Sequence, residues 1–398
     1  MIVLNKAKLP IKIWMDQESL GLQSGAIDQA INLANHPFTE KWVCLMPDGH
    51  QGFGMPIGGV MLTKDAVLPY TVGNDIGCGV KTMKLDIEAD SITREQLQAW
   101  REGVHARVPV GNAQRKEALP WAEAKCYDPL YGEFTNGARS IIEGTFLAKG
   151  QYQLGTLGSG NHFIELQRWP DGKLGLMIHS GSRVMGGEVC AHYMKIAKKL
   201  MEDFRITLPD KDLAYLPMSL PVARHYLTDM HWCMGYAKGN RDVMSEEAIE
   251  ALEEALGREV FRPEFEFDCH HNFAQMENHG GKNYLVTRKG AVQAKKGQWV
   301  AIPGSMGTAT YIGKGLGNPD SFETCSHGAG RIASRKKANE MVTHEQAVES
   351  MKHVVYGTRH GSYDEHPHAY KNIDVCMANQ SELVEPYARL EPLAVVKG

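Results

Sequence analysis

Glycine gathers around histidine, aspartate and asparagine in five separate places along this chain. They are "MPDGHQGFGMPIGG" (46–59), "GNDIGCG" (73–79), "GTLGSGNHFIE" (155–165), "HSGSR" (179–183) and "CSHGAGR" (325–331). A sixth segment, "DCHHN" (268–272), has the polar content without the glycine. Glycine admits positive φ and lets backbone approach a ligand closely, so such loops suit phosphate or metal sites. Taken singly, each reads equally well as a turn with stray polar residues. Together, each linking strand-like runs, they favour a fold that delivers several loops to one shared site.

The runs between them define the elements. "GGVMLT", "LGLMIHS", "KNYLVTR", "GQWVAIP" and "LAVVKG" read as strands, and the Pro-containing "VLPYTV" reads as a strand entering the 73–79 loop. "SITREQLQAWREGV" carries a capping box, Thr93 with Gln96, ahead of an amphipathic helix. Helical spacing recurs over 186–204 and 222–240. A separate helix is expected to start at N-cap Ser245 and stop at Gly257, and 330–341 reads as a basic helix. Helices and strands alternate irregularly, which indicates a mixed α/β or α+β domain with a helix-rich insertion over roughly 186–257.

With 43 Lys and Arg against 47 Asp and Glu, the chain has no global attraction for nucleic acid or membranes. A polyanion partner needs a local basic patch such as Arg335, Lys336 and Lys337. The eight cysteines (44, 78, 126, 190, 233, 269, 325 and 376) form no CxxC pair and read as reduced thiols. No run approaches the roughly 20 apolar residues that span a bilayer, and "MIVLNKAKLPIKIWM" is broken before a signal-peptide core can form. A soluble, cytoplasmic protein is expected.

Asp75 and Cys78, with His162, His179 and His271, supply carboxylate, thiolate and imidazole ligands. That set suits Zn²⁺, or Mn²⁺ and Fe²⁺ where oxygen ligands join. A Cys78–His nucleophile pair is the rival chemistry, although the neighbouring carboxylate raises a thiol's pKa. Most other histidines, including His36, His105, His192, His225, His231, His344 and His353, read as hydrogen-bonded core residues. No GxxxxGK[ST] loop occurs. His327 is expected on a glycine turn leading into a helix whose N-terminus favours an anion, with Arg331 one helical turn beyond. A histidine so placed could carry a phosphoryl or nucleotidyl group.

"MPDGHQGFGMPIGGV", "VGNDIGCGV", "LGSGNHFIE", "HSGSR", "CHHN", "TRKGA", "PGSMGTA" and "SHGAGR" occur in the order and rough spacing of the RtcB family of RNA-splicing ligases, which this chain resembles from about residue 40 to Lys397. The resemblance implies a single large mixed α+β domain over 1–398, with central β-sheets around a metal and nucleotide cleft. It implies an RNA ligase of bacterial type, acting in RNA repair or tRNA splicing. Such an enzyme joins 2′,3′-cyclic phosphate or 3′-phosphate ends to 5′-hydroxyl ends, using GTP and two Mn²⁺ ions. By motif, Asp75, Cys78, His162, His179 and His271 would hold the ions, with Cys78 as bridge, and His271 rather than His270 would be the ligand. His327 would carry GMP, with Asp48 fixing its tautomer. Asn161 and Asn272 would contact GTP phosphates. Phe163, Glu165, Ser305, Thr310, Tyr370 and Lys397 would form the guanosine pocket. Arg183, Lys289 and Arg331 would bind phosphates of nucleotide or RNA. An archease-type activator is a further implied partner. A metal-dependent cyclic phosphoesterase and a non-ligating RNA-binding paralogue are the alternatives. One geometric tension stands: in a regular strand, His162 and Glu165 would face opposite sides.

Overall fold

The computed structural model describes residues 1–21, 23–119, 140–261, 265–332, 335–357 and 365–397; Cys126 lies outside them. The loops singled out above join two large sheets. The first runs β1 (Ile2–Leu4), β2 (Ile11–Ile13), β3 (Thr39–Phe53), β4 (Met55–Thr63), β12 (Lys282–Lys289) and β11 (Asn272–His279), antiparallel except for the β2–β3 pair. The second is antiparallel throughout, in the order β10 (Phe265–His270), β6 (Gly79–Glu88), β8 (Lys173–Ser180), β7 (Phe163–Arg168), β17 (Val384–Lys397), β15 (Thr310–Gly315) and β14 (Trp299–Pro303). Two short ladders, β5 (Ala66–Val67) with β9 (Leu216–Pro217) and β13 (Ala291–Gln293) with β16 (Thr324–Ser326), tie connecting segments together.

Period-two alternation explains how the sheets are covered. In β6, Met83, Leu85 and Ile87 pack with Trp100 and Val104 of one helix and Met244, Ala248 and Leu252 of another. Val80, of the opposite parity to Met83, packs with Cys44, Met46, Val60 and Leu62 of the first sheet. The second sheet is therefore covered by helices on one face and by the first sheet on the other. The first sheet in turn sets Val43, Leu45 and Met61 against Ala26, Ala30 and Leu33 of α1 (Ser24–Ala34).

The capping box forms as expected at α2 (Arg94–Arg107): Gln96 N–H donates to Thr93 Oγ1 at 3.2 Å, and Thr93 N–H donates to Gln96 Oε1 at 3.0 Å. The helix expected from residue 186 is α3 (Arg183–Asp203). Three expectations are corrected. Residues 222–257 do not form two helices; α4 (Pro221–Leu256) is continuous for 36 residues and ends at Gly257, whose φ is 65°. Ser245 caps nothing, since its hydroxyl is buried and donates to the Asp242 carbonyl at 2.7 Å. "VLPYTV" passes from the short β5 into a one-turn helix, Pro69–Val72, because Pro69 at its first position favours helical φ. The basic helix is described over Arg335–Met341, and Arg331, expected within it, instead forms a β-bridge with Tyr370. No helix among the described residues is long and apolar enough to cross a membrane.

These caps give a direct check. Thr93→Ala should lower stability by about 1 kcal/mol, whereas Ser245→Ala should cost less, because alanine's higher helix propensity offsets the lost hydroxyl bond to the Asp242 carbonyl. Urea unfolding measures both. Comparable losses at the two positions would restore a helix break at residue 245.

Candidate active site

Strand register assembles the ligand candidates. His270, at the end of β10, pairs with Gly79 at the start of β6, and Gly79 pairs with Ser180 at the end of β8. Phe163, at the start of β7, pairs with His179. His271, Cys78, His179 and His162 thus lie at or next to paired positions, at one end of four adjacent strands. Residues far apart in the chain become neighbours because antiparallel pairing brings starts and ends of strands to the same edge.

The ligating atoms converge. Cys78 Sγ lies 3.4 Å from His162 Nε2 and 3.3 Å from His179 Nε2, and His179 Nε2 lies 3.3 Å from His271 Nε2. Asp75 Oδ2 is 3.0 Å from His162 Nε2. Two triads result, Asp75–Cys78–His162 and Cys78–His179–His271, each with its ligating atoms within 4.8 Å of one another and sharing the thiol. His162 Nδ1 sits 3.0 Å from the Leu157 carbonyl, which can only accept, so Nδ1 carries a proton and a neutral ring turns a bare Nε2 inward. Burial, reinforced by neighbouring imidazoles, pushes His179 and His271 well below the ordinary histidine value. They are neutral bases with lone pairs to offer. The donor set, its burial and its shared sulfur fit two divalent cations. Burial and then Asp75 drive the Cys78 thiol well up, so a free reactive thiolate is disfavoured and a ligand role favoured. His270 turns away, its Nδ1 donating to the Gly77 carbonyl at 3.1 Å.

The Asp48 segment meets the His327 turn beside this cluster. The β3–β4 register jumps between Leu45 and His50, freeing Asp48 from the ladder. Its Oδ2 accepts from His327 Nδ1 at 2.6 Å, from His327 N–H at 3.0 Å and from Gly328 N–H at 3.2 Å. Glycine is required at 330 because a Cβ there would lie 2.1 Å from the Asp48 carbonyl oxygen. His327 Nε2 is left for the cavity, and the His327 and His271 ring centroids are 4.8 Å apart.

A cavity of about 310 Å³ adjoins these groups. Asp75, Cys78, His179, His271 and His327 line it, as do Asn161, Phe163, Glu165, Asn272, Ser305, Thr310, Arg331, Tyr370 and Lys397. Asp48 and His162 stand behind the lining residues that they touch. The His162–Glu165 tension is resolved because β7 begins at Phe163: His162 precedes the strand, and Phe163 and Glu165 share its inward face. Arg183 and Lys289 do not line the cavity. Arg183, at φ 53°, opens α3 and donates from Nε to Thr156 Oγ1 at 3.3 Å. Lys289 Nζ donates to the Phe53 and Tyr70 carbonyls at 2.7 and 3.1 Å, and burial lowers its pKa to about 8.

The sequence profile of the family described as "tRNA-splicing ligase RtcB" matches residues 29–398. An Escherichia coli protein named "RNA-splicing ligase RtcB" is 37% identical over 407 residues, covering 100% of this chain and 99% of its own length. The Mycobacterium tuberculosis "RNA-splicing ligase RtcB" is 32% identical, covering 93% of this chain and all of its own. A Nanoarchaeum equitans "tRNA-splicing ligase RtcB" is 29% identical, with 99% and 96% coverage. The chain belongs to the RtcB family.

The structure of this RtcB-family chain adds residues that the motifs did not assign. His50 lines the cavity and donates from Nδ1 to the Asp48 carbonyl at 2.9 Å. Gln167 Nε2 donates to Glu165 Oε1 at 2.6 Å and to Thr310 Oγ1 at 3.0 Å; its spacing of two from Glu165 in a strand was the available signal. Glu365 accepts from Arg331 Nη1 at 2.7 Å, from Lys397 Nζ at 2.9 Å and from the Tyr370 hydroxyl, drawing three expected site residues together. Lys371 donates to the Pro47 and Gly49 carbonyls at 2.9 and 2.8 Å and so fixes the backbone on either side of Asp48.

Burial lifts the Glu165 carboxyl to about 8, above its usual 4.5. The folded protein therefore holds a proton that the unfolded chain releases between those values, and stability falls as pH rises through that window. Glu165→Gln should remove this part of the fall, gaining on the order of 4 kcal/mol over the wild type near pH 8.5 relative to pH 4.5. Urea unfolding of both proteins across that range provides the comparison; parallel curves would refute the shift.

Proposed function

We propose that this protein is an RNA ligase that uses GTP to join RNA 3′-phosphate or 2′,3′-cyclic phosphate ends to 5′-hydroxyl ends, in RNA repair or tRNA splicing in the cytoplasm. The names of its relatives support ligation in RNA splicing. The observation that carries the chemistry is His327: its Nδ1 is tied to Asp48, its Nε2 is left for the cavity, and its ring lies against His271 of the two-triad cluster.

In this reading Nε2 of His327 attacks the α-phosphorus of GTP. A P–N bond forms, the bond to the bridging oxygen breaks, and pyrophosphate leaves. Asp48 holds the Nδ1 proton throughout, so the attacking nitrogen keeps its lone pair and the positive charge that develops on the ring is stabilised. An RNA 3′-phosphate oxygen then takes the GMP from His327, breaking the P–N bond. The 5′-hydroxyl of the second RNA next attacks the RNA phosphorus, forms the phosphodiester and expels GMP. A cyclic phosphate is first opened by water to a 3′-phosphate. Asp75, Cys78, His162, His179 and His271 would hold two Mn²⁺ ions, which supply charge neutralisation and Lewis acidity to the phosphates. Ser305, Thr310, Phe163, Tyr370 and Lys397 would enclose the guanosine, and Glu165, held by Gln167, would read its base edge. Asn161, Asn272 and Arg331 would meet phosphate oxygens, as would Arg183 and Lys289 after rearrangement. An archease-type protein would be an activating partner.

Incubation with α-labelled GTP and Mn²⁺ should label the protein covalently. His327→Ala should abolish labelling, and Asp48→Ala should reduce it by 10²-fold or more. Labelling that survives His327→Ala would sink the mechanism. Cyclic-phosphate opening without any labelling would point to a phosphoesterase.

A further inference from the structure

Arg241, in the middle of α4, is fully buried and lies outside the cavity lining. Its Nε and Nη2 donate to the two oxygens of Asp268 at 2.7 Å each. Its Nη1 donates to the Gly77 carbonyl at 3.1 Å and to the Ser180 carbonyl at 2.8 Å. Two of the three acceptor residues adjoin a ligand candidate: Gly77 precedes Cys78 and Ser180 follows His179. Asp268 lies in β10, three residues before His271. Asn240, the preceding residue, secures the remaining segment. Its Oδ1 accepts from the Gly155 and Thr156 N–H groups at 2.7 and 3.1 Å, and its Nδ2 donates to the Thr156 and Gly181 carbonyls at 3.1 and 3.2 Å. That loop runs on to Leu157, whose carbonyl orients His162.

Stability alone does not account for a guanidinium here. Burying an ion pair costs desolvation that apolar residues of similar volume avoid, often with no loss of stability. What apolar residues lack is a rigid planar fork that engages a carboxylate bidentately while its third nitrogen spans two carbonyls. Lysine, with one ammonium on a flexible stem, cannot make that set of bonds together.

We propose that Arg241, with Asn240 beside it, is the positioning residue of the metal cluster. It locks the Gly77 and Ser180 carbonyls, and through them the spacing of Cys78 Sγ and His179 Nε2 within the Cys78–His179–His271 triad. The inference rests on the reading that the two triads bind divalent metal.

The test uses the full chain and Co²⁺, followed by elemental analysis and by the near-ultraviolet thiolate-to-cobalt charge-transfer band. Two variants are compared with the wild type. Arg241→Lys keeps the charge facing Asp268 but loses the fork. Arg241→Met combined with Asp268→Leu replaces the buried pair with apolar residues. Each should unfold in a single cooperative transition, bind Co²⁺ at least tenfold more weakly, and lose most of the band. Wild-type stoichiometry, affinity and band in either folded variant would overturn the proposal. So would failure of both to fold, because that would make Arg241 a requirement of the fold itself. A wild-type protein that shows no thiolate band with Co²⁺ would instead sink the metal reading, and that outcome needs no variant.

Discussion

Two imidazole nitrogens, His179 Nε2 and His271 Nε2, face each other at 3.3 Å in a buried site, with a thiol and a third imidazole in the same contact. With both rings neutral, the contact holds only if one ring takes its Nε2–H tautomer and donates to the other, which leaves that ring's buried Nδ1 without a partner, as it is at His271. A cation between the rings accepts both Nε2 lone pairs at once and removes that restriction. The neighbouring features follow from the need to hold that arrangement. Four strand ends meet at one edge, and the Asp75 carboxylate presses against Gly181, where a Cβ would lie 1.9 Å from Asp75 Oδ1.

The long helix α4 shows how that need overrides local preference. At 36 residues it extends about 54 Å. Its first half packs Tyr226, Met230, Cys233 and Tyr236 into one apolar cluster, and its second half packs Met244, Ala248 and Leu252 into another. Between them lies "KGNRD", where glycine costs about 1 kcal/mol in helix propensity and asparagine is a weak helix former. Helix persists there because Asn240 and Arg241 find their partners only from helical backbone at that height. Interrupting the helix would strand a buried amide and a buried guanidinium.

Strands and the grouping of the candidate site residues were legible because both leave local marks. Alternating apolar runs marked β4, β8, β12 and β14, and polar residues between glycines marked the loops. Choosing His271 over His270 rested on its place before Asn272, and the register places its ring against His179. What stayed hidden depends on long-range pairing. Nothing near Ser245 distinguishes a cap from a buried mid-helix serine, since acids follow it in either case. Glu365 and Lys371 gain their roles only when segments more than 30 residues apart close on Arg331, Lys397 and the Asp48 loop. Gln167 was readable in principle from strand parity with Glu165, but parity carries meaning only once β7 is known to begin at Phe163.

The His327 turn was expected to bind an anion through a helix N-terminus, and its replacement alters how phosphate can be recognised. The N–H groups of His327 and Gly328 point at Asp48, so its carboxylate already occupies that nest. Negative charge arriving in the cavity must therefore meet side chains. Among those lining it, Arg331 and Lys397 are cationic, and both lean on Glu365. One carboxylate between two cations leaves the trio with a net positive charge while fixing where it sits. Tyr370 belongs to the same unit through its bridge to Arg331, and Lys371 continues it to the backbone around Asp48. The cavity is thus built from two blocks. One carries the lone-pair cluster on strand ends tied to α4; the other carries His327, Asp48 and the Glu365 cations. They meet where His271 faces His327, and a substrate phosphate held by both would lie across that seam. A change that shifts one block against the other should then impair transfer even with every contacting residue intact.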